Sequence, residues 1–265
     1  MRIEELLGIP SNCVIDRLVA KEKVFQNANL NSNDKKLFID YVNQIWWNSR
    51  LAEDSTDIIP YKDDTKKYNE VEILFITLKE EKLRELSDSN KTNSSFFVQD
   101  KKIERIIEIL FRFILFPQLI VLNYRSKLKF YTTHLTINLV DSTKFTLDEM
   151  ISTNWIDLNK LGSIEEIFFS NMHFENLSHE NFYKFYGGYV DSIIKYNGSI
   201  LSGSNIELPV DEIKAIEDRI EELDKEIAIF IKELNKETQP RLISKINNEI
   251  RIRRIEKRDL LKKLE

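Results

Sequence analysis

PVDEIKAIEDRIEELDKEIAIFIKELNKETQPRLISKINNEIRIRRIEKRDLLKKLE, residues 209–265, reads as two long amphipathic helices folded back on each other as an antiparallel coiled-coil hairpin. In the first arm Ile213, Ile216, Ile220, Leu223, Ile227, Phe230 and Leu234 recur at steps of three and four, the narrow seam of a coiled coil rather than the broad stripe of a core helix. The arms carry opposite charge. Residues 211–237 hold ten acidic and five basic side chains, whereas residues 241–265 hold nine basic and four acidic. Between them Glu237-Thr238-Gln239-Pro240 supplies a break, with Thr238 as a cap and Pro240 in the first turn of the second helix. At 1.5 Å per residue each arm reaches about 40 Å. The second seam is poorer: Ile243, Ile246, Ile250, Leu260 and Leu264 fit it, but Arg253 and Lys257 also fall on it. An imperfect seam leaves surface for another chain, a second copy included.

Working outward, 265 residues with 42% hydrophobic and 11% aromatic content provide for one folded domain, placed at 1–205, plus the hairpin at 206–265. A net charge of −5 argues against a generally basic nucleic-acid coat. The single cysteine, Cys13, has no internal disulfide partner, and the charged start Met1-Arg2-Ile3-Glu4-Glu5 is not a signal peptide, so the expected compartment is the cytoplasm. No apolar run approaches a membrane span.

The region before the hairpin reads as an α/β (α+β) head with a mixed sheet flanked by helices. After a turn-rich start with Gly8 and Pro10, residues 33–47 read as a helix with Leu37, Phe38, Tyr41, Val42 and Ile45 on one face and Asn33 or Asp34 as cap. A polar stretch covers 54–69. Residues 71–78 are apolar at nearly every position, which suits a strand covered on both faces. A Ser/Asn-rich loop at 87–95 leads to a helix at 100–115, which stops before Pro117, and then a strand at 118–123. Strand, helix and strand in succession predict a parallel crossover. A turn at 124–127 opens a long antiparallel strand over 128–139. Strand or turn structure follows at 151–158, helices at 164–171 and 178–196, and a linker at 198–204.

Several of these segments resemble the bacterial domain of unknown function 4391 family. The likeness includes Gly8 to Pro10, the acidic-start strand from Glu70 that ends in Leu78-Lys79, Pro117 followed by an apolar strand, and Thr153-Asn154-Trp155. Its most specific piece is the hairpin tip, where Lys236-Glu237-Thr238-Gln239 and Asn247-Asn248-Glu249-Ile250-Arg251 keep the family's spacing. Pro240, Arg241 and Leu242 depart from the polar, basic residues of that pattern. The resemblance carries over no catalytic residue. It implies a context: companions of helicases and DNA methyltransferases in restriction-type defence clusters.

A metal-dependent nuclease needs clustered carboxylates and a lysine at strand ends. Glu70, Glu72, Lys79, Lys127 and Lys129 are of the right types in the wrong order, and solvated strand ends are the expected alternative. His134, His173 and His179 offer no tight ligand pair, so no metal or cofactor is expected. Gly187-Gly188 sits among aromatic residues and reads as a close helix contact, and Cys13 lacks an activating motif. Trp46, Trp47 and Trp155 can stack on bases, though core packing is the commoner use. Arg251, Arg253, Arg254, Lys257 and Arg258 can grip nucleic-acid phosphates, or neutralise the acidic first arm; the acidic partner within the same chain favours the second.

The expectation is a non-enzymatic adaptor that docks a helicase or DNA methyltransferase through its coiled-coil arm, with Glu237, Gln239, Asn247 and Glu249 forming the recognised tip. A nucleic-acid-binding protein using the basic arm is the alternative, and a nuclease a more distant one.

Overall fold

A computed structural model describes residues 2–28, 30–80, 94–138 and 145–264. The chain divides into two compact units, Met1–Ile193 and Ile194–Glu265, with the division inside one helix. The fold is mixed α/β with a mixed sheet, followed by a helical C-terminal region.

The strands in chain order are β1 (Val14–Val19), β2 (Val42–Ala52), β3 (Tyr61–Lys62), β4 (Lys67–Tyr68), β5 (Glu70–Leu78), β6 (Gln118–Tyr124), β7 (Lys127–Thr132), β8 (Leu135–Ile137), β9 (Phe145–Leu147), β10 (Ile151–Ser152) and β11 (Ile156–Asp157). The main sheet runs β1-β2-β5-β6-β7-β10, with β11 also on β7. Its β5–β6 pair is parallel, as the strand–helix–strand succession predicts, and the other pairs are antiparallel. The described helices are α1 (Ile3–Leu6), α2 (Lys21–Asn27), α3 (Ser32–Tyr41), α4 (Glu53–Thr56), α5 (Ser94–Phe113), α6 (Ser163–Met172), α7 (Phe182–Ser202), α8 (Val210–Leu234) and α9 (Pro240–Leu264).

Strand β5 is covered on both faces. Leu74, Ile76 and Leu78 share a core with Phe38 and Tyr41 of α3 and with Ile103, Ile107 and Leu110 of α5. On the other face Phe130 of β7 meets Phe168 and Phe169 of α6 edge-on, with ring centroids 5.4 and 6.0 Å away. The crossover is held at its exit by Gln118, a fully buried side chain whose Nε2 donates to the Ile114 carbonyl at 2.9 Å, with the Phe111 and Phe116 carbonyls at 3.4 and 3.3 Å. These are carbonyls at and just beyond the end of α5, which lack partners within the helix.

Some boundaries differ from the sequence expectation. The helix expected over 33–47 ends at Tyr41, and its second half is β2. Val42 and Ile45 are three apart, which mimics a helical face. In the sheet a register shift between Val42 and Gln44 restores the phase, so Val42 opposes Leu78 and Ile45 opposes Ile76 in the same core. Asn31, not Asn33 or Asp34, caps α3, its side chain accepting from the Asp34 N–H at 2.9 Å. The long strand expected over 128–139 breaks after Thr132, and Leu135–Ile137 leaves to pair with β9 in a separate sheet. The polar stretch 54–69 contains most of α4 and the β3–β4 pair, while most of the expected 87–95 loop lies outside the described residues. The linker expected at 198–204 is helical through Ser202 and closes at Gly203, whose φ of 79° suits a glycine after a helix end. Gly198 lies inside the helix, where a Cβ would come within 2.7 Å of Ile213 Cγ2, so the close approach there requires a residue without one.

Tyr186 is a buried knot of α7 against the sheet. Its hydroxyl lies 2.8 Å from the Gln118 carbonyl and 2.9 Å from that of Thr133, and it accepts from the Thr133 N–H at 3.1 Å. Tyr186→Phe keeps the ring and strands these backbone groups, so we expect a loss of about 1–3 kcal/mol in urea unfolding. An unchanged midpoint would show that water replaces the hydroxyl.

Candidate functional site

The C-terminal unit places the residues of the expected seam as follows. Ile213, Ile220, Leu223, Ile250 and Leu264 are buried, and Ile216, Ile227, Phe230, Leu234, Ile243, Ile246 and Leu260 are half-buried. Arg253 and Lys257, the two basic residues along that line, are engaged across the helices. Arg253 Nε bonds Glu226, and its guanidinium lies 4.5 Å from the centre of the Phe230 ring. Lys257 Nζ bonds Asp224 at 2.6 Å, and Arg219 Nε of α8 bonds Glu256 of α9 at 2.8 Å. These three pairs join α8 to α9. Arg251 donates to Asn248 at 3.3 Å and Arg258 lies 3.7 Å from Asp259, both within α9, while Arg254 is exposed.

At the turn between the helices no side-chain bond from Thr238 to the first turn of α9 is seen among the described residues; instead Glu237 Oε1 accepts from the Thr238 and Gln239 N–H groups, both at 2.8 Å, and so fixes the turn just ahead of α9. A glutamate with a bend behind it can fold back onto its own following amides, a geometry that residue spacing does not reveal. Glu249 is tied to Arg253 at 2.7 Å, leaving Gln239 and Asn247 as exposed polar residues of the proposed tip.

In the head, the carboxylates read as solvated strand ends are buried instead. Glu70 is 9% exposed and pairs with Arg50 at 2.6 Å, and Glu72 is 4% exposed. Burial, then the charge of Glu70, pushes the Glu72 carboxyl up to about 8, against the pull of Arg50. The lysines do not join them. Lys79 follows the far end of β5, about 23 Å along an extended strand, and donates to the Ile39 carbonyl at 2.7 Å. Lys127 is exposed, and buried Lys129 lies 5.1 Å over the Tyr131 ring. Among the described residues no three His, Cys, Asp or Glu side chains group as a metal site.

The histidines serve separate contacts. His134 Nδ1 lies 2.6 Å from the Tyr68 hydroxyl, and burial draws its pKa down to about 4, which keeps the ring neutral at neutral pH. His179 Nε2 bonds the Phe174 carbonyl at 3.0 Å, and His173 packs where a Cβ on Gly8 would intrude. Gly188 is a close contact, 2.6 Å from a Leu177 methyl to where a Cβ would be, whereas Gly187 meets nothing. Cys13 is buried, which raises its thiol pKa. Trp155 is half-buried, edge-on to Tyr124, and Trp47 packs against the core. Among the described residues no helix is long and apolar enough to cross a membrane.

The model of domain of unknown function 4391 (DUF4391) matches residues 7–258, nearly the whole chain. The chain belongs to the DUF4391 family. The match spans both the sheet-containing unit and most of the helix pair, so DUF4391 comprises the two together. No curated protein matches the chain, and no solved structure does.

Glu72 gives this DUF4391 head a pH signature. Between pH 4.5 and about 8 the folded state holds a proton that the unfolded state has released, so the stability gained below 4.5 is lost as pH rises through 8. Glu72→Gln should flatten that decline and leave the variant more stable than the parent above pH 8, by on the order of 2–4 kcal/mol. Denaturant melts at pH 5, 7 and 9 check it; parallel pH profiles for the two proteins would refute a buried, protonated carboxyl.

Proposed function

We propose that this chain is a non-enzymatic accessory subunit of a bacterial restriction-type or anti-phage defence system. In this reading it is cytoplasmic, and its C-terminal helices act as an antiparallel coiled coil that docks a helicase or DNA methyltransferase. The observation that carries the reading is the distribution of charge and apolar surface on the helix pair. Arg219, Arg253 and Lys257 are spent on acidic residues of the opposite helix. Large apolar side chains remain outside: Ile229, Ile252 and Ile255 are 55%, 47% and 41% exposed. Such a surface favours a protein partner over a phosphate backbone, because association with DNA draws on cations that are not already neutralised. The partner class rests on the defence-cluster context that the family resemblance implies.

Two paired substitutions test the reading in the full chain, with capture of a helicase or methyltransferase encoded beside it as the readout. Ile220→Asp with Ile227→Asp puts carboxylates into the seam, and we expect loss of helical circular dichroism from the arm together with loss of capture. Gln239→Ala with Asn247→Ala should keep full helicity and weaken capture at least tenfold. Undiminished capture by the first variant would reject docking through the arm, and by the second would reject recognition at the tip.

A further inference from the structure

Strands β1, β2 and β5 and helices α2 and α5 line a cavity of about 440 Å³ in the head that opens to solvent at Arg17, Leu18 and Leu115, within the range that holds a small organic molecule. Its walls are apolar: Val24 from α2, Ile45 from β2, Leu74 from β5, and Leu110 and Ile114 from α5. Its polar groups belong to neighbouring strands. Glu72, 4% exposed, lines it, with the Glu70 carboxyl and the buried indole N–H of Trp47 beside it; the N–H lies near the Glu72 carboxyl but is not well aligned with it. Arg17 is the cross-strand partner of Trp47, so the two side chains leave the sheet on the same face. A register shift between Val14 and Arg17, with Asp16 at φ 46°, sets that alignment. Lys23 adds a second positive charge to the lining.

We infer that this cavity binds an apolar monocarboxylate, its aliphatic or aromatic body against Val24, Ile45, Leu110 and Ile114 and its carboxylate between Arg17 and the Trp47 N–H. Two groups supply donors to that head group: Arg17 gives a charge-assisted bond, and Trp47 an N–H that has no well-aligned acceptor. Burial and the neighbouring Glu70 charge favour the neutral form of Glu72, which removes a negative charge from that wall. An amine would meet two positive charges, and an alcohol would leave Arg17 without a counterion. The cavity lies within the head, so this inference does not depend on the helix pair or on docking.

Calorimetric titration of the full chain with decanoate, decanol and decylamine tests it. The expected result is a single saturable site for decanoate, with the alcohol and the amine at least tenfold weaker. Arg17→Gln, at an exposed position, should fold normally and lose about tenfold in decanoate affinity with decanol unchanged. Trp47→Phe keeps an aromatic ring and should weaken decanoate alone. Absence of saturable decanoate binding, equal affinity for decanol or decylamine, or an Arg17→Gln variant that binds as the parent does would overturn the assignment.

Discussion

Strand β5 must be dry on both faces, and most of the head follows from that. Val71, Ile73, Leu74 and Ile76 are each no more than 1% exposed, so one strand presents apolar side chains in both directions. A single covering layer would leave half of them in water, at about 25 cal/mol for every Å² of apolar surface. Hence α3 and α5 pack on one side and α6 on the other. The parallel neighbour β6 arises from the same demand, because a chain that must lay a helix over β5 before re-entering the sheet returns in the same direction.

Gln118 shows how tightly that crossover is specified. It opens β6, opposite Glu72 in the parallel register, and its amide closes the end of α5. Its Oε1 is buried and without a partner. The region where β5 and β6 begin therefore concentrates polar groups that burial makes costly: a carboxyl, an orphan amide oxygen and an unpartnered indole N–H.

Legibility of the chain divides along physical lines. Long periodic stretches were readable: the apolar run of β5, the spacing of Ile103, Ile106, Ile107 and Leu110 on α5, and the two C-terminal helices each announce themselves by period. What failed was local. A bulge after Val42 gave a strand the spacing of a helix, and the break after Thr132 came from tertiary partners, since Tyr186 takes the Thr133 N–H and Tyr68 that of Leu135. The polar end of the cavity was the least visible. Glu70 and Glu72 look like solvated strand termini until β2 and the end of α5 are built around them, and Arg17 meets Trp47 only through a register that a bulge decides. Alternation of Glu70, Glu72 and Leu74 was the one available signal, placing both carboxyls on the face of a core residue.

The helix pair shows how charge of either sign can be read two ways until partners are known. Nine basic residues in one arm look like a phosphate-binding stripe, and ten acidic residues in the other look like a solvated face. Pairing changes both. Because Arg253 and Lys257 lie along the half-buried side of α9, they reach Glu226 and Asp224 rather than solvent, and Arg253 also covers the Phe230 ring. Exposed pairs of this kind contribute little stability, typically under about 1 kcal/mol each. Their larger effect is on register. Sliding one helix past the other by four residues would set Arg219 against Ile252 or Leu260 in place of Glu256, so the same charges that add little to folding disfavour the alternatives. A helix pair fixed in one register keeps Ile252 and Ile255 at a constant place on its outer face, the condition any partner that reads that face requires.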